Sequence, residues 1–459
     1  MRLMSSARSC GRLSAVLSWS RRAQATLFML IVLVMYAVTA NYGVIQNHDV
    51  ISMVVPVWQL VTSGTLYVDP HQNLSPMFFE TDVGVISNRW PGTMLVALPA
   101  YLLMAPFLDV AEGPVYWPAT IAAVIVSALA ATALFTLVWA RHDPVTAWLA
   151  GTVGALGTGL WTVAADSLWT HGPAVLLSLL ALHALQMDKV WSAGCCFGAL
   201  ALVRPHLVVV AALVGYILAR KRKDVSILVK IGLPAAVGVL LYVGYMSLLS
   251  GTLSTGLERY AFTPPQGWQR VVFVLGGLSA PRVGLLIYTP VLICCFIALR
   301  RVWPTAPDWQ VAAFIGGLTY LIIQLQSNSY LGGYGLYGYR LPLETLAFAA
   351  PLLVHGGVLF VRRSQRHAAV FGALAAFSVW VSAVGAFLYV GRLGRVGAWS
   401  DYDPALTLAS RPLPIAVAAV AFGLIAVVGA AWMAASHHAR VGSAIQSRIS
   451  APRVVQRPR

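Results

Sequence analysis

The chain has 459 residues, of which 59% are hydrophobic and only 10% are charged, and its mean hydropathy is +0.76. Soluble domains carry about 25% charged residues, so the composition excludes a soluble domain and indicates a polytopic membrane protein. The formal net charge is +16. Because Lys and Arg cluster in short runs between apolar segments, this excess indicates membrane topology and argues against a nucleic-acid partner.

The N-terminal residues 1–23 contain five Arg and no acid, and no clear cleavage site follows. We therefore predict a basic cytoplasmic tail before an uncleaved first helix. A helix crosses the bilayer with about 20 apolar residues. By this criterion the predicted fold is all-α, with a membrane domain over 24–436 and a basic cytoplasmic tail over 437–459. The candidate spans are 24–42, 117–140, 144–164, 171–187, 191–203, 206–219, 227–247, 284–300, 309–326, 341–361, 368–390 and 414–436.

The apolar run 92–108 is a thirteenth candidate, and whether it crosses decides the orientation of everything after it. If it does not cross, the basic runs Arg220–Lys223 and Arg362–Arg366 fall on the same side as the basic N-terminus, as the positive-inside rule requires. Pro99 and Pro106 interrupt the run. We therefore predict an interfacial or re-entrant helix, with both chain termini in the cytoplasm and the loop 43–116 on the outer side.

Asp49 stands in this loop shortly after the first span. A carboxylate held at the bilayer surface is suited to chemistry on a lipid-linked substrate. The alternative is structural, because Asn47 or Asp49 could simply cap a helix over 50–62. Most acids of the chain fall on the predicted outer side, which suggests that this face carries the chemistry.

Further charged residues are predicted at the same membrane face. Asp166 lies in the segment Ala165 to His171, and Arg282 and Arg340 lie near outer span ends. Charges that converge at one membrane face are costly to bury and are usually functional. An exposed interfacial charge is the alternative for each of them.

Arg204 precedes Pro205 inside the long apolar run 191–219. As one span, this run would be too long and would bury the charge. We therefore predict two short spans that meet at Arg204-Pro205 on the outer side. A structural Arg that extends to the interface remains the alternative.

The segment 327–340 is dense in Gly and Tyr, includes Tyr334 and Tyr337, and ends on Arg340. Glycine permits turns with positive φ, tyrosine rings can face sugars, and Arg grips phosphate with two hydrogen bonds. An aromatic belt at the membrane surface would explain part of the Tyr content.

The sequence lacks the motifs of several common classes of binding site. The sequence contains no Walker-type phosphate loop and no predicted strand that could carry a dinucleotide-binding motif. The adjacent pairs Cys195-Cys196 and Cys294-Cys295 lie in apolar runs without the spacing of zinc ligands. The residues predict no metal site, and the requirement for a divalent metal is left open.

Taken in order, several short motifs resemble those of the GT-C superfamily of membrane glycosyltransferases, in the branch of protein mannosyltransferases and aminoarabinose transferases. Asp49 stands where that family has its first-loop acid. Two departures are Arg89-Trp90, where many members have Tyr-Pro, and Val283, which separates Arg282 from Gly284. The other matching segments are Gly64-Thr65-Leu66-Tyr67-Val68-Asp69, Gly157-Thr158-Gly159-Leu160-Trp161, Leu168-Trp169-Thr170-His171-Gly172-Pro173, Arg204-Pro205, Ala280 to Pro290, and Gly332-Gly333 to Arg340.

The resemblance implies transfer of a sugar from a polyprenyl-phosphate donor to a glycan, lipid or protein acceptor. Asp49 would act as general base or orient the acceptor. Arg282, Arg340 and Arg204 would hold the donor phosphate, and one direct displacement would invert the anomeric carbon. The residues expected at the sugar or acceptor pocket are Asp166, His171, Trp169, Tyr334, Tyr337 and Glu344.

Two other functions remain open at this stage. A transporter or flippase of a lipid-linked sugar would use the same charges for binding alone, although no internal repeat of the kind common in transporters is evident. A non-catalytic envelope-assembly protein is the second. The richness in Ala, Val and Arg with little Lys resembles proteins of GC-rich bacteria, so we expect a site that faces outward from the cytoplasmic membrane.

Overall fold

The computed structural model describes residues 19–43, 47–108, 111–254, 265–333, 335–389 and 401–450. These residues form seventeen α-helices and one antiparallel β-hairpin. The first helices are α1 (Arg21–Thr39), α2 (His48–Ser63), α3 (Pro91–Met104), α4 (Trp117–Trp139), α5 (Pro144–Leu156), α6 (His171–Gln186), α7 (Val190–Val203), α8 (Val208–Arg222) and α9 (Ser226–Ser250). The remaining helices are α10 (Gln269–Ser279), α11 (Leu285–Tyr288), α12 (Val291–Val302), α13 (Asp308–Ser327), α14 (Leu343–Val361), α15 (Gln365–Leu388), α16 (Asp403–Ala409) and α17 (Leu413–Ser450).

The fold is mainly helical, as the sequence predicted, and every predicted apolar run falls on one or two helices. By length and composition, six described helices can cross a membrane, and shorter apolar helices accompany them. The count of twelve spans therefore stays a prediction. The six candidates are Arg21–Thr39, Trp117–Trp139, Ser226–Ser250, Leu343–Val361, Gln365–Leu388 and Leu413–Ala439.

Contacts between helices show which ends lie together. The Thr120 hydroxyl, near the start of α4, donates to the carbonyl of Asn41, just after α1 (3.0 Å). The first turn of α6 packs on α4, where Gly172 lies beside Ser127. His183, near the other end of α6, contacts Thr136 of α4 (3.1 Å). The end of α1 and the starts of α4 and α6 therefore share one end of the bundle, which we call the loop end.

The long apolar run 190–222 folds as two antiparallel helices. Gly194 and Gly198 of α7 pack on the backbone of α9 at Lys230 and Pro234, so α7 and α9 run parallel. Gly215 of α8 instead lies beside Ile231, near the start of α9. The chain thus reverses at Arg204-Pro205, as predicted, and glycines allow the close approach that helix packing in membranes favours.

Helix α3, which covers most of the run 92–108, begins and ends at the loop end. Its first turn packs against the last turn of α7, where Gly92 contacts Leu202 and Val203. Near its other end, the Tyr101 hydroxyl donates to the carbonyl of Val115, two residues before α4. Whether α3 lies at the membrane interface stays a prediction.

A short hairpin, which the sequence analysis did not predict, precedes α3. Strands β1 (Phe78–Thr81) and β2 (Gly84–Ser87) pair with Phe78 opposite Ser87 and Thr81 opposite Gly84. The Ser87 hydroxyl donates to the carbonyl of Ser52 in α2 (2.6 Å). The hairpin is therefore fixed to α2, and the residues after β2 are held over the start of that helix.

Candidate functional site

Asp49 lies in the first turn of α2 and binds two arginines. The side chain of Asn47 accepts the hydrogen bond from the Asp49 backbone N–H (2.8 Å), so Asn47 is the helix cap and the Asp49 carboxylate is available for other partners. Its Oδ1 pairs with Arg89, and its Oδ2 pairs with Nη1 of Arg340 at 2.5 Å. The Asp49 side chain is 15% exposed.

Burial and charge act in opposite directions on this carboxylate. Burial alone would raise its pKa, because it disfavours the charged form. The guanidinium groups of Arg89 and Arg340 outweigh burial and hold the pKa of Asp49 below its usual range. The group is therefore ionised at neutral pH.

Arg89 is a site residue that sequence reasoning missed. It follows β2, and the Ser87 hydroxyl accepts a hydrogen bond from its backbone N–H (3.1 Å). The hairpin thus fixes the backbone on which Arg89 reaches Asp49. The only signal in the sequence was the Arg89-Trp90 pair at a position where the resembled family often has Tyr-Pro.

Arg340 is enclosed by an aromatic ring and a glycine-rich turn. Its guanidinium carbon lies 4.7 Å from the ring centroid of Trp169. Gly332 (φ +68°) and Gly333 (φ +106°) pack against the other parts of its side chain, and a Cβ at Gly333 would lie 3.1 Å from Nη2 of Arg340. The glycines predicted to allow tight turns therefore also make room for this arginine.

A second charged cluster surrounds Arg204 at the turn between α7 and α8. Nη1 of Arg204 lies 3.0 Å from Oε1 of Glu344, and Nδ1 of His171 lies 2.8 Å from the same oxygen. Glu344 is fully buried, and Arg204 and His171 are nearly so. A buried ion pair keeps its charges only when further hydrogen bonds support them. Arg204 accordingly also lies 3.3 Å from the Thr170 hydroxyl and 3.4 Å from Oε1 of Gln324.

Aromatic groups position Arg204 from the other side. Its Nε lies 3.2 Å from Nε2 of His206, which in turn lies 3.1 Å from the Tyr320 hydroxyl. The His206 and Tyr320 rings are stacked, with centroids 5.6 Å apart. Trp90 packs edge-on against His206 at 5.2 Å and lies under the Arg204 guanidinium at 5.9 Å.

Three consecutive residues join the two clusters. Trp169 lies against Arg340, while Thr170 and His171 contact the Arg204–Glu344 pair. The joined site contains three arginines and two carboxylates, so it has an excess of positive charge when His171 is neutral. Such a site at the end of a helix bundle can accept an anionic group.

Asp166 lies at the corner before α6, three residues before Trp169. Its carbonyl accepts a hydrogen bond from the backbone N–H of Asn41 (2.9 Å), which ties the corner to the end of α1. Burial raises the pKa of the Asp166 carboxyl to about 7, against the opposing effect of the Asn41 N–H. The Asp166 carboxyl therefore ionises less readily than an ordinary aspartate.

Arg282, Tyr337 and Tyr334 complete the set of predicted site residues. Arg282 lies in the turn between α10 and α11, where its charge acts on the Tyr330 hydroxyl. Tyr337 is in the core, and its hydroxyl donates to the carbonyl of Val381 (2.9 Å). The structure therefore gives Tyr337 a packing role. Tyr334 lies outside the described residues.

Within the described ranges, three or more His, Cys, Asp or Glu side chains do not group in a way that could hold a metal ion. His171 and Glu344 make one close pair of metal-ligand types, but Arg204 already neutralises Glu344. The arrangement is suited to binding an anion and to placing a carboxylate beside it.

Fold and site together describe a polytopic helical membrane protein with a charged site at one end of its bundle. No family model and no curated protein matches the sequence. Among solved structures, the chain is similar to the crystal structure of ArnT from Cupriavidus metallidurans in the apo state. The TM-score is 0.50 at 15% identity, over 91% of this chain and 77% of that chain. The likeness shows that this chain shares the fold of that structure.

Proposed function

We propose that this protein transfers a sugar from a polyprenyl-phosphate-linked donor to a glycan, lipid or protein acceptor. The site would face outward from the cytoplasmic membrane, with both termini in the cytoplasm. The observation that carries the proposal is the Asp49 carboxylate held between Arg89 and Arg340 at the loop end of a GT-C-like bundle. The carboxylate that would act as the base is thus in direct contact with the two arginines that would hold the phosphate.

The ion pairs suggest how the site changes when the donor enters. A donor phosphate competes with Asp49 for Arg89 and Arg340, because phosphate accepts paired hydrogen bonds from arginine. As the arginines turn to the phosphate, Asp49 loses the charges that lower its pKa and becomes a stronger base. Donor binding would thus activate the carboxylate only when the sugar is in place.

The transfer step is a single displacement. The acceptor oxygen or nitrogen attacks the anomeric carbon as Asp49 takes its proton, and the bond from that carbon to the phosphate oxygen breaks. The electron pair leaves with the polyprenyl phosphate, whose growing charge the arginines stabilise. Attack opposite the leaving group inverts the anomeric carbon.

The other residues are given roles by their positions. Arg204 would reach the phosphate from the neighbouring cluster, with Glu344 and His171 holding its guanidinium in place. Trp169 positions Arg340 and offers a ring beside the sugar. Asp166 would bind a sugar or acceptor hydroxyl at the edge of the site. Arg282 and Tyr334 keep the donor and sugar roles that the family resemblance implies.

The test is transfer of radiolabelled sugar from polyprenyl-phosphate donors into membrane products. We expect Asp49→Asn to reduce incorporation by at least about 10²-fold, since a general base contributes about 10²–10⁴-fold. Asp82→Asn, the same change at the exposed turn of the hairpin in the same loop, is the matched control and should retain full activity.

Retained turnover by Asp49→Asn would remove Asp49 from the mechanism. If the wild-type protein binds donors tightly and never incorporates label, the transporter or assembly function would replace the transferase.

A further inference from the structure

A cavity lies at the end of the bundle opposite to Asp49. It has a volume of about 560 Å³ and is formed by the start of α7, the end of α8 and the start of α9. Its charged lining residues are Lys189, Arg222 and Lys230, with Asp188 and Asp224. Nothing in the proposed transfer reaction uses it.

The cations of this cavity are not fully neutralised by its acids. Arg222 pairs with Asp188, whereas Lys230 lies 3.9 Å from Asp224, which is too long for a direct hydrogen bond. In the described part of the chain, the ion pairs do not include Lys189. The lining therefore has one positive charge in excess and one loosely held ammonium group.

Among the charged residues that line the cavity, Lys230 gives the strongest indication of a ligand, because it lies in the first turns of an apolar helix. Charged residues within such helices are costly and usually face a partner or a polar cavity. The packing of Gly194 against the Lys230 carbonyl fixes this part of α9 against α7. The Lys230 side chain, which is 32% exposed, lines the cavity.

Apolar groups beside the cavity indicate that its ligand has a lipid part. Trp191 lines it and is 50% exposed, as expected of an aromatic residue at a membrane surface. Val229 and Leu233 of α9 expose apolar side chains along the same helix. A free anion would use the cations and leave these apolar groups unused.

We propose that this cavity binds the phosphate headgroup of an anionic phospholipid, with the acyl chains along the exposed face of α9. Lys189 and Lys230 contact the phosphate, and Arg222, held by Asp188, borders it. Basic pockets between membrane helices are suited to such headgroups. The site is independent of sugar transfer, so either proposal can fail without the other.

The test uses the full-length protein in nanodiscs that contain equal parts phosphatidylglycerol and phosphatidylcholine. Lipids retained after transfer to detergent are counted by native mass spectrometry. We expect the wild type to retain phosphatidylglycerol preferentially. Lys189→Gln combined with Lys230→Gln should lower this retention about 25-fold, at about fivefold for each cation near the surface.

The matched control is Arg362→Gln combined with Arg366→Gln, which removes the same charge from exposed positions at the same end of the bundle. It should retain phosphatidylglycerol like the wild type. Lys189→Arg with Lys230→Arg keeps the charge and should also retain it, which separates loss of lipid from loss of fold.

Two outcomes would overturn the proposal. Equal loss in the cavity and control variants would show general surface attraction. Displacement of the lipid by free glycerol phosphate, at the concentration at which phosphatidylglycerol itself competes, would show that the cavity recognises a soluble anion.

Discussion

The charge of Asp49 depends on its two arginine partners. Arg89→Gln leaves the carboxylate buried and removes one of the groups that lower its pKa. The pKa of Asp49 therefore rises, and a larger fraction is protonated at a given acidic pH. We expect the acid limb of kcat/KM to move to higher pH, together with a loss of about 10²-fold in kcat if Arg89 also stabilises the leaving phosphate.

The measurement is kcat/KM for sugar transfer between pH 4 and pH 8. Arg362→Gln, an exposed change far from the loop end, should leave the profile unchanged. An Arg89→Gln enzyme with lower activity but an unmoved acid limb would contradict control of the Asp49 charge by Arg89.

At the residue scale, sequence reasoning located side chains whose charge stands out in an apolar chain. Arg204 and Arg340 were conspicuous for this reason, and the structure places each beside a carboxylate. The partners themselves could not be predicted. Arg89 and Asp49 are separated by forty positions, and their contact depends on a hairpin whose strands are four residues long. Strands of this length are too short to show a clear alternation of apolar and polar residues in the sequence.

For Tyr337, the sequence pattern did not distinguish a site residue from a core residue. Its pattern with neighbouring Gly and Tyr fits both a sugar-facing ring and a core ring, because both environments favour aromatic residues. Only the contacts of the ring distinguish these two environments. Tyr337 contacts Gly385, Tyr288 and the Val381 carbonyl, which places it in the core.

At the scale of the element, the turn before Arg340 is built to leave room for one side chain. Gly332 has φ +68°, and a Cβ there would lie 3.2 Å from Cγ of Arg340. Gly332→Ala therefore combines backbone strain with displacement of Arg340. We expect a loss of about 1–2 kcal/mol of stability from the strain and a fall in kcat/KM from the displaced arginine.

Gly64, at the end of α2, supplies a closely matched control. Its φ is +73°, and a Cβ there would meet nothing within 4 Å. Gly64→Ala should show a similar drop in thermal stability with near-normal kcat/KM. Equal loss of activity in both variants would mean that strain, and not the position of Arg340, limits the reaction.

At the scale of the whole molecule, helix order followed from apolar runs and basic clusters. The reversal at Arg204-Pro205 could be predicted because burying that charge in one long span would cost several kcal/mol. The packing of α7 against α9 could not be predicted from the sequence, because it depends on close glycine contacts between segments about forty residues apart. The lengths of the helices also leave the number of spans open.

The orientation of the bundle in the membrane depends on whether α3 crosses the bilayer. If α3 lies at the interface, as its contacts with α7 and with Val115 suggest, the segments before and after it are on the same side. In a variant with its five cysteines replaced, we expect Leu74→Cys and Glu112→Cys to react with an impermeant maleimide added to intact cells. Lys223→Cys, which follows α8 at the opposite end, should react only after the membrane is opened. Labelling of Leu74→Cys and Glu112→Cys from opposite sides would show that α3 crosses, and would contradict the contacts that hold the end of α1, the start of α4 and the Arg204 cluster at one end of the bundle.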